Sequence, residues 1–150
     1  MQVEADQSGR IDQTDRATVL AMANGMQYSI RIPAPVKREC LQILRRRRSG
    51  KDPRSLYVLI FATVLYLLLK EHISQLGKVI VDTELPGHEA KIKEHALNLF
   101  RRSGIPVDPE AIIFQRIGKK SPAHKLAWRV YNGLADPDQT LGVEDILAEF

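Results

Sequence analysis

Three polar residues lie at or near the ends of predicted elements, and side chains of their types could do metal or proton chemistry. Asp6 and Asp82 each end a predicted strand, and His124 lies in the first turn of a predicted helix. Carboxylates are the hard oxygen ligands that Mg²⁺ prefers, and an imidazole binds Mn²⁺ or moves protons near neutral pH. Each residue also has an ordinary explanation, because aspartate is common in turns and loop caps and a histidine in a first turn is often simply exposed.

Basic residues form two further groups that could bind a polyanion. The first group is Arg45, Arg46, Arg47 and Arg48 with Lys51, and the second is Lys119, Lys120 and Lys125. The first group belongs to a predicted break that includes Ser49, and the second flanks His124. Such runs bind phosphate backbones without sequence preference, although a solvated loop has the same composition. Trp128 could stack a base, but its helical spacing also suits the edge of the core.

The charge is unevenly distributed along the chain. The net charge is +4, yet Leu134–Phe150 contains five acids and no Lys or Arg. The rest of the chain therefore carries 22 basic and 13 acidic residues. A basic body indicates a polyanionic partner or serves solubility alone.

Cysteine content and the first residues exclude some classes of protein. Cys40 is the one cysteine, which excludes an internal disulfide framework, and with four scattered histidines it makes no structural zinc site. The first residues lack the basic start and apolar run of a signal peptide, so a cytoplasmic protein is expected.

The segment Leu56–Leu69 is apolar apart from Thr63 and raises the question of a membrane span. As a helix it would reach roughly 21 Å, short of the ~30 Å hydrocarbon core of a bilayer. We expect a buried central helix and no membrane partner. A membrane-associated protein is the alternative.

The remaining patterns predict the elements that position these residues. The predicted strands are Val3–Asp6, Ala17–Ala23, Tyr28–Ile32, Lys78–Asp82 and Ala111–Ile117, with two helices after the third strand and one after each of the last two. An antiparallel meander followed by right-handed crossovers predicts an α/β fold with a mixed five-stranded sheet, order 3-2-1-4-5, and helices on both faces. One domain is expected over residues 1–135, with 136–150 as an acidic tail or short helix.

This arrangement resembles the ribonuclease H-like superfamily over about Val3–Gly133. In that family the first strand carries an aspartate before a small-residue turn, as in Asp6-Gln7-Ser8-Gly9. The fourth strand ends in a second aspartate, as in Val79-Ile80-Val81-Asp82-Thr83. The last helix carries an acid, or a histidine in Piwi domains and some Holliday-junction resolvases, before a Leu-Ala pair, as in His124-Lys125-Leu126-Ala127.

The resemblance implies a metal-dependent nuclease acting on phosphodiester bonds of DNA or RNA. Asp6 and Asp82 would hold Mg²⁺ or Mn²⁺, in a two-metal arrangement with ions roughly 4 Å apart, and His124 would be a ligand or proton shuttle. The family also takes a glutamate from the central helix, and here that helix has no acid. Glu39 or Glu84 would have to replace it. Without a replacement, a non-catalytic nucleic-acid-binding or assembly module on the same fold is the alternative.

Overall fold

The chain builds one mixed β-sheet, seen in a computed structural model that describes residues 1–48 and 50–150. The strands are β1 (Gln2–Ser8), β2 (Thr18–Ala23), β3 (Tyr28–Ile32), β4 (Lys78–Asp82), β5 (Ile112–Gln115) and β6 (Gln139–Thr140). Their order across the sheet is β5-β4-β1-β2-β3-β6. β2 is antiparallel to β1 and β3, and the other three pairings are parallel.

The predicted five-stranded sheet with order 3-2-1-4-5 is wrong in strand count and in its complete order, because β6 adds a sixth strand beside β3. β6 has only two residues, both exposed, so it carries no alternating apolar pattern that a sequence could reveal. Backbone hydrogen bonds hold its flanks, from Asp138 N to Ser29 O and from Leu141 N to Arg31 O, both 2.9 Å. The predicted pairing of β1 with β4 is confirmed.

Helices cover both faces of the sheet. They are α1 (Ala34–Arg47), α2 (Pro53–Leu69), α3 (Glu89–Arg102), α4 (Pro122–Tyr131) and α5 (Val143–Leu147). Four of them share the larger core on one face, whereas α4 packs alone against β1 and β2 on the other. Because strand side chains alternate, Val3 and Ala5 enter the larger core while Glu4 and Asp6 face α4.

The apolar segment Leu56–Leu69 lies in α2, and its predicted burial is confirmed. Asp52 caps the helix, since its carboxylate accepts a 2.8 Å hydrogen bond from Ser55 N. The sheet, α1 and α3 surround α2, and both Leu65 and Leu68 have no exposed surface. In the described ranges, every helix is too short or too polar to cross a bilayer.

The predicted basic break after the first helix is wrong at its start. Arg45, Arg46 and Arg47 are helical and form the last turn of α1, where their positive charges complement the helix dipole. The helix therefore continues through most of the arginine run and ends before Arg48. Ser49, which the predicted break also contains, lies outside the described residues.

The acidic stretch 136–150 is folded and forms β6 and α5. Ile146 there is fully buried and Leu141 nearly so. Both residues belong to the larger core, so this stretch is part of the domain.

A buried lysine anchors the loop between β1 and β2. Lys37 on α1 is 1% exposed, and its ammonium donates to Arg10 O (3.1 Å), Gln13 O (2.7 Å) and Thr18 Oγ1 (2.9 Å). Burial lowers its pKa to about 8, so the charged form still predominates at neutral pH. All three of its protons have acceptors, which offsets the desolvation of the charge.

Replacing Lys37 with methionine should therefore destabilise the fold. The three acceptors would lose their partner, and we expect a loss of about 2–4 kcal/mol in the free energy of unfolding. Urea denaturation measures this loss. Lys91→Met on the exposed face of α3 is the control and should change stability by less than about 0.5 kcal/mol. Equal costs for the two variants would contradict the role of Lys37.

Candidate metal centre

The carboxyl ends of β1 and β4 meet at one edge of the sheet. The two strands are parallel neighbours in the register Val3↔Val79 and Ala5↔Val81, so the next residues lie side by side: Asp82 ends β4, and Asp6 lies two residues before the end of β1. The chain leaves β1 toward β2 on one side and β4 toward β5 on the other. Such a switch point opens a crevice between the two departing loops, which is where open α/β sheets bind ligands.

Three carboxylates converge in this crevice. Asp6, Asp82 and Glu84 each offer an oxygen, and these oxygens all lie within 4.8 Å of one another. Oxygens bound to one octahedral Mg²⁺ lie roughly 3–4 Å apart, because each is ~2.1 Å from the ion. Small side-chain movements would therefore let all three bind a single cation. We call these three residues the acidic cluster.

Asp6 is the most enclosed member of the acidic cluster. It is 5% exposed, Oδ1 accepts from Gln7 N at 2.7 Å, and Oδ2 lies 3.0 Å from His124 Nδ1. Burial raises the pKa of Asp6, and the charge of Asp82 raises it further. The hydrogen bonds from Gln7 and His124 oppose this rise without cancelling it.

Glu84 has a strongly raised pKa. Burial raises the pKa of its carboxyl to about 7, with further contributions from Asp82 and from the charge of Asp6. A hydrogen bond from the Gln7 side chain acts in the opposite direction. Near neutral pH the cluster thus keeps a proton part of the time, since three adjacent negative charges are unfavourable. A divalent cation would replace that proton.

Backbone and helix contacts hold the other groups in place. Asp82 Oδ1 accepts from Ile117 N at 2.6 Å, which ties it to the segment after β5. Ser121 Oγ caps α4 through Ala123 N at 3.2 Å and donates to Glu4 Oε1 at 2.9 Å. A hydroxyl followed by a proline is typical of a helix start, and Ser121-Pro122 has this form. The bond from Ser121 to Glu4 is not predictable, because it joins residues far apart in the chain.

The central helix presents no acid to the crevice. Phe61 and Leu65 of α2 line it together with the acidic cluster. Glu39, one of the two proposed substitutes, is exposed on α1 and does not belong to the cluster. Glu84, the other substitute, does belong to it. Two residues after Asp82, it lies on the same side of an extended chain.

Gln7 is a member of the site that the sequence does not single out. Its side chain is 6% exposed and lines the crevice, and among the residues that the structure describes its Oε1 has no hydrogen-bond partner. A buried amide oxygen without a partner is costly, and water or a cation commonly satisfies it. Because Mg²⁺ usually keeps several waters, a hydrated ion in the crevice would supply such a donor. The donor set and this orphaned atom both suit a divalent cation. The crevice has no space for a water molecule in this conformation, so the side chains that line it would have to move apart before a hydrated ion could enter.

The first group of predicted basic residues lies on the surface. Arg45, Arg46 and Arg47 are exposed on the last turn of α1, and Lys51 is exposed in the segment that follows. The guanidinium of Arg48 lies 5.5 Å from the ring centre of Phe150. Within the described part of the chain, none of these five residues forms an ion pair. Their charges are thus available to a polyanion.

The second group of basic residues lies close to the candidate site. Lys119, Lys120 and Lys125 are exposed around the start of α4, next to His124. They too form no ion pair among the residues that the structure describes. A polyanion bound near the acidic cluster would therefore meet positive charge on the α4 side.

Comparison of the chain with known protein families, curated proteins and solved structures gives no match. The resemblance to the ribonuclease H-like superfamily therefore stays a prediction. Function has to be inferred from the geometry of the crevice and the charges around it.

Divalent metal should stabilise the protein, and more so at high pH. Without metal, native Glu84 keeps a proton between about pH 4.5 and 7 that the unfolded chain has lost, so its contribution to stability falls as the pH rises through that window. Metal competes with this proton. At a hundred times its Kd, Mn²⁺ should add about 2.7 kcal/mol to the free energy of unfolding. Far more Mn²⁺ should be needed for the same gain at about pH 5.5 than at about pH 8.

Thermal unfolding with Mn²⁺ or chelator at both pH values measures this effect. Glu84→Gln should remove most of the gain and its pH dependence, while Glu39→Gln should leave both unchanged. A Mn²⁺ effect that survives Glu84→Gln in full would place the ion elsewhere.

Proposed function

We propose that the protein is a divalent-metal-dependent nuclease of ribonuclease H-like type that hydrolyses phosphodiester bonds in nucleic acids. The acidic cluster carries this proposal, because two carboxylates from adjacent parallel strands and a third from the loop after β4 meet within 4.8 Å in a crevice at the carboxyl ends of these strands. Without a cation, this concentration of negative charge is unfavourable. It is the arrangement that a hard divalent ion requires.

The strand arrangement also supports the ribonuclease H-like interpretation. Without β6, the order of the first five strands, read from β3, is 3-2-1-4-5. Asp6 lies near the carboxyl end of β1, the central strand of this set, and Asp82 ends the neighbouring β4. His124 enters from the first turn of the last long helix, α4, and contacts Asp6. The resemblance assigns acids and a histidine to these places.

Asp6, Asp82 and Glu84 would hold Mg²⁺ or Mn²⁺, and Gln7 would bind a water of its hydration shell. When bound, the metal makes water more nucleophilic and stabilises charge on the leaving oxygen. A mixed oxygen and nitrogen donor set, if His124 joins it, favours Mn²⁺ over Mg²⁺.

His124 is suited to moving a proton beside the acidic cluster. When Asp6 is ionised, its Oδ2 accepts from Nδ1–H of the imidazole, which leaves the lone pair on Nε2. The side chain is 33% exposed, so Nε2 has access to solvent and to a bound strand. His124 would take up the proton of the attacking water or deliver one to the leaving oxygen. Asp6 would thereby act both as a metal ligand and as the group that fixes the imidazole tautomer.

A non-catalytic nucleic-acid-binding module is the second candidate. The observation that favours it is the apolar lining that α2 gives to the crevice, through Phe61 and Leu65. The cluster thus has three carboxylates and no fourth from the helix. In this case the ion would only stabilise the crevice, and the exposed basic residues would provide the binding.

Cleavage of labelled hybrid, duplex and branched substrates separates the two candidates. With Mn²⁺ or Mg²⁺, Asp82→Asn and Glu84→Gln should each lower the cleavage rate by about a hundredfold or more, because an amide keeps the shape but loses the charge that holds the cation. His124→Ala should lower it by about 10²–10⁴-fold if it acts as a general acid or base.

Glu39→Gln is the matched control for this series, since it removes an exposed carboxylate outside the cluster and should leave the rate unchanged. Cleavage that persists in Asp82→Asn and in chelator would refute the metal mechanism. A wild-type protein that binds nucleic acid but cleaves none of these substrates would support the non-catalytic module.

The Arg45–Arg48 run should contribute to nucleic-acid binding only through the attraction between its positive charges and the phosphates. Replacing all four with alanine should weaken binding about equally for all sequences, and should lower the slope of log K against log salt by about 0.9 for each phosphate that is no longer neutralised. Fluorescence anisotropy at several salt concentrations measures both quantities.

A variant with four exposed charges removed elsewhere, at Lys78, Lys91, Arg101 and Arg102, provides the comparison. An equal change of slope in the two variants would mean that the run contributes only to the net charge.

A further inference from the structure

Trp128 is an exposed aromatic on an otherwise well-packed helix. It is the one tryptophan of the chain, and half of its surface is accessible. Ala123, Ala127 and Val130 face the sheet, so α4 needs no contribution from Trp128 to its core contact. The other large apolar residues exposed in the described ranges are Met1 and Leu134. An exposed indole between charged residues is typical of a binding surface.

Basic side chains frame the indole. His124, Lys125, Trp128 and Arg129 line a shallow depression of about 360 Å³. Neither Lys125 nor Arg129 forms an ion pair in the described part of the chain, and α4 contains no acidic residue. We call these four residues the α4 platform.

The α4 platform adjoins the acidic cluster. His124 contacts Asp6 at 3.0 Å, and Trp128 follows His124 by one turn, which is ~6 Å along the helix. Residues four apart share one side of a helix. A polymer bound with one phosphate at the cluster would therefore pass beside the indole.

We infer that the α4 platform stacks an unpaired base of a nucleic-acid strand while Lys125 and Arg129 bind the phosphates next to it. This inference rests on the proposed function and names the form of its substrate near the site, a single-stranded segment. Stacking on an aromatic ring suits any base, because every base has a π face, so the platform gives no sequence preference.

Charge favours this occupant over a second copy of the chain. In a symmetric contact, two α4 platforms would bring Lys125 and Arg129 against their own equivalents, and like charges would repel. A phosphate backbone is complementary to them. The aromatic ring between the two cations matches the combination of stacking and charge that binders of single strands use.

The test uses the fluorescence of Trp128, which reports on the platform alone because the chain has no other tryptophan. Asp82→Asn protein in chelator is titrated with a short oligothymidylate and with an abasic oligonucleotide of equal length. The base-bearing strand should quench the indole strongly, and the abasic strand should quench it little. Equal quenching by both would show that only the phosphates are bound and would overturn the inference.

Affinity for a labelled oligothymidylate, measured by anisotropy, gives the second readout. Trp128→Ala should weaken binding roughly tenfold or more, and Trp128→Phe should recover most of that affinity. Leu134→Ala, which truncates another exposed apolar residue just after α4, should leave binding unchanged. Full binding by a folded Trp128→Ala protein would overturn the inference, as would a concentration-dependent dimer that buries the indole without nucleic acid.

Failure of the inference is distinguishable from failure of the proposed function. If the wild-type protein cleaves nucleic acid but its indole shows no base-dependent quenching, the inference about the α4 platform is wrong and the proposed nuclease function stands. Base-dependent quenching in a protein that cleaves nothing would leave the platform as part of a binding module.

Discussion

Three carboxylates in one crevice repel one another, and this repulsion governs the electrostatics of the candidate site. Asp6 and Glu84 are largely removed from water and lie beside Asp82, and both have raised pKa values as a result. Backbone N–H groups of Gln7 and Ile117 stabilise part of this charge. The rest of the negative charge has to be neutralised by a proton or a cation. This requirement is the physical basis for the metal-centre proposal.

Strand pairing and hydrogen bonds between elements hold these charged side chains close together. Parallel pairing of β1 with β4 sets two of the carboxylates side by side, and α4 is fixed to β1 through the bond between Ser121 and Glu4. Lys37 anchors the loop that follows β1. Because strands and a capped helix carry Asp6, Asp82 and His124, their positions depend little on loop conformation, whereas Glu84 lies in the loop after β4.

Sequence patterns were sufficient to predict the two neighbouring strands that carry Asp6 and Asp82. Apolar strands ending in aspartate, with a meander before the crossovers, predicted that β1 and β4 are neighbours. The two-residue period of an extended chain made Glu84 a candidate. The exposed strand β6 has no pattern to recognise, and a sequence does not show which way Glu39 points on a helix. The hydrogen bonds of the Lys37 ammonium join segments that are more than twenty residues apart in the chain. Local sequence patterns do not reveal such contacts.

Diffraction from crystals soaked in Mn²⁺, recorded to obtain the anomalous signal of manganese, would show whether the acidic cluster binds a cation. We expect an anomalous peak in the crevice, with carboxylate oxygens of Asp6, Asp82 and Glu84 about 2.2 Å from it, and no such peak in Asp82→Asn crystals. A well-occupied peak elsewhere, with the crevice empty and Glu84 still beside Asp82, would contradict it.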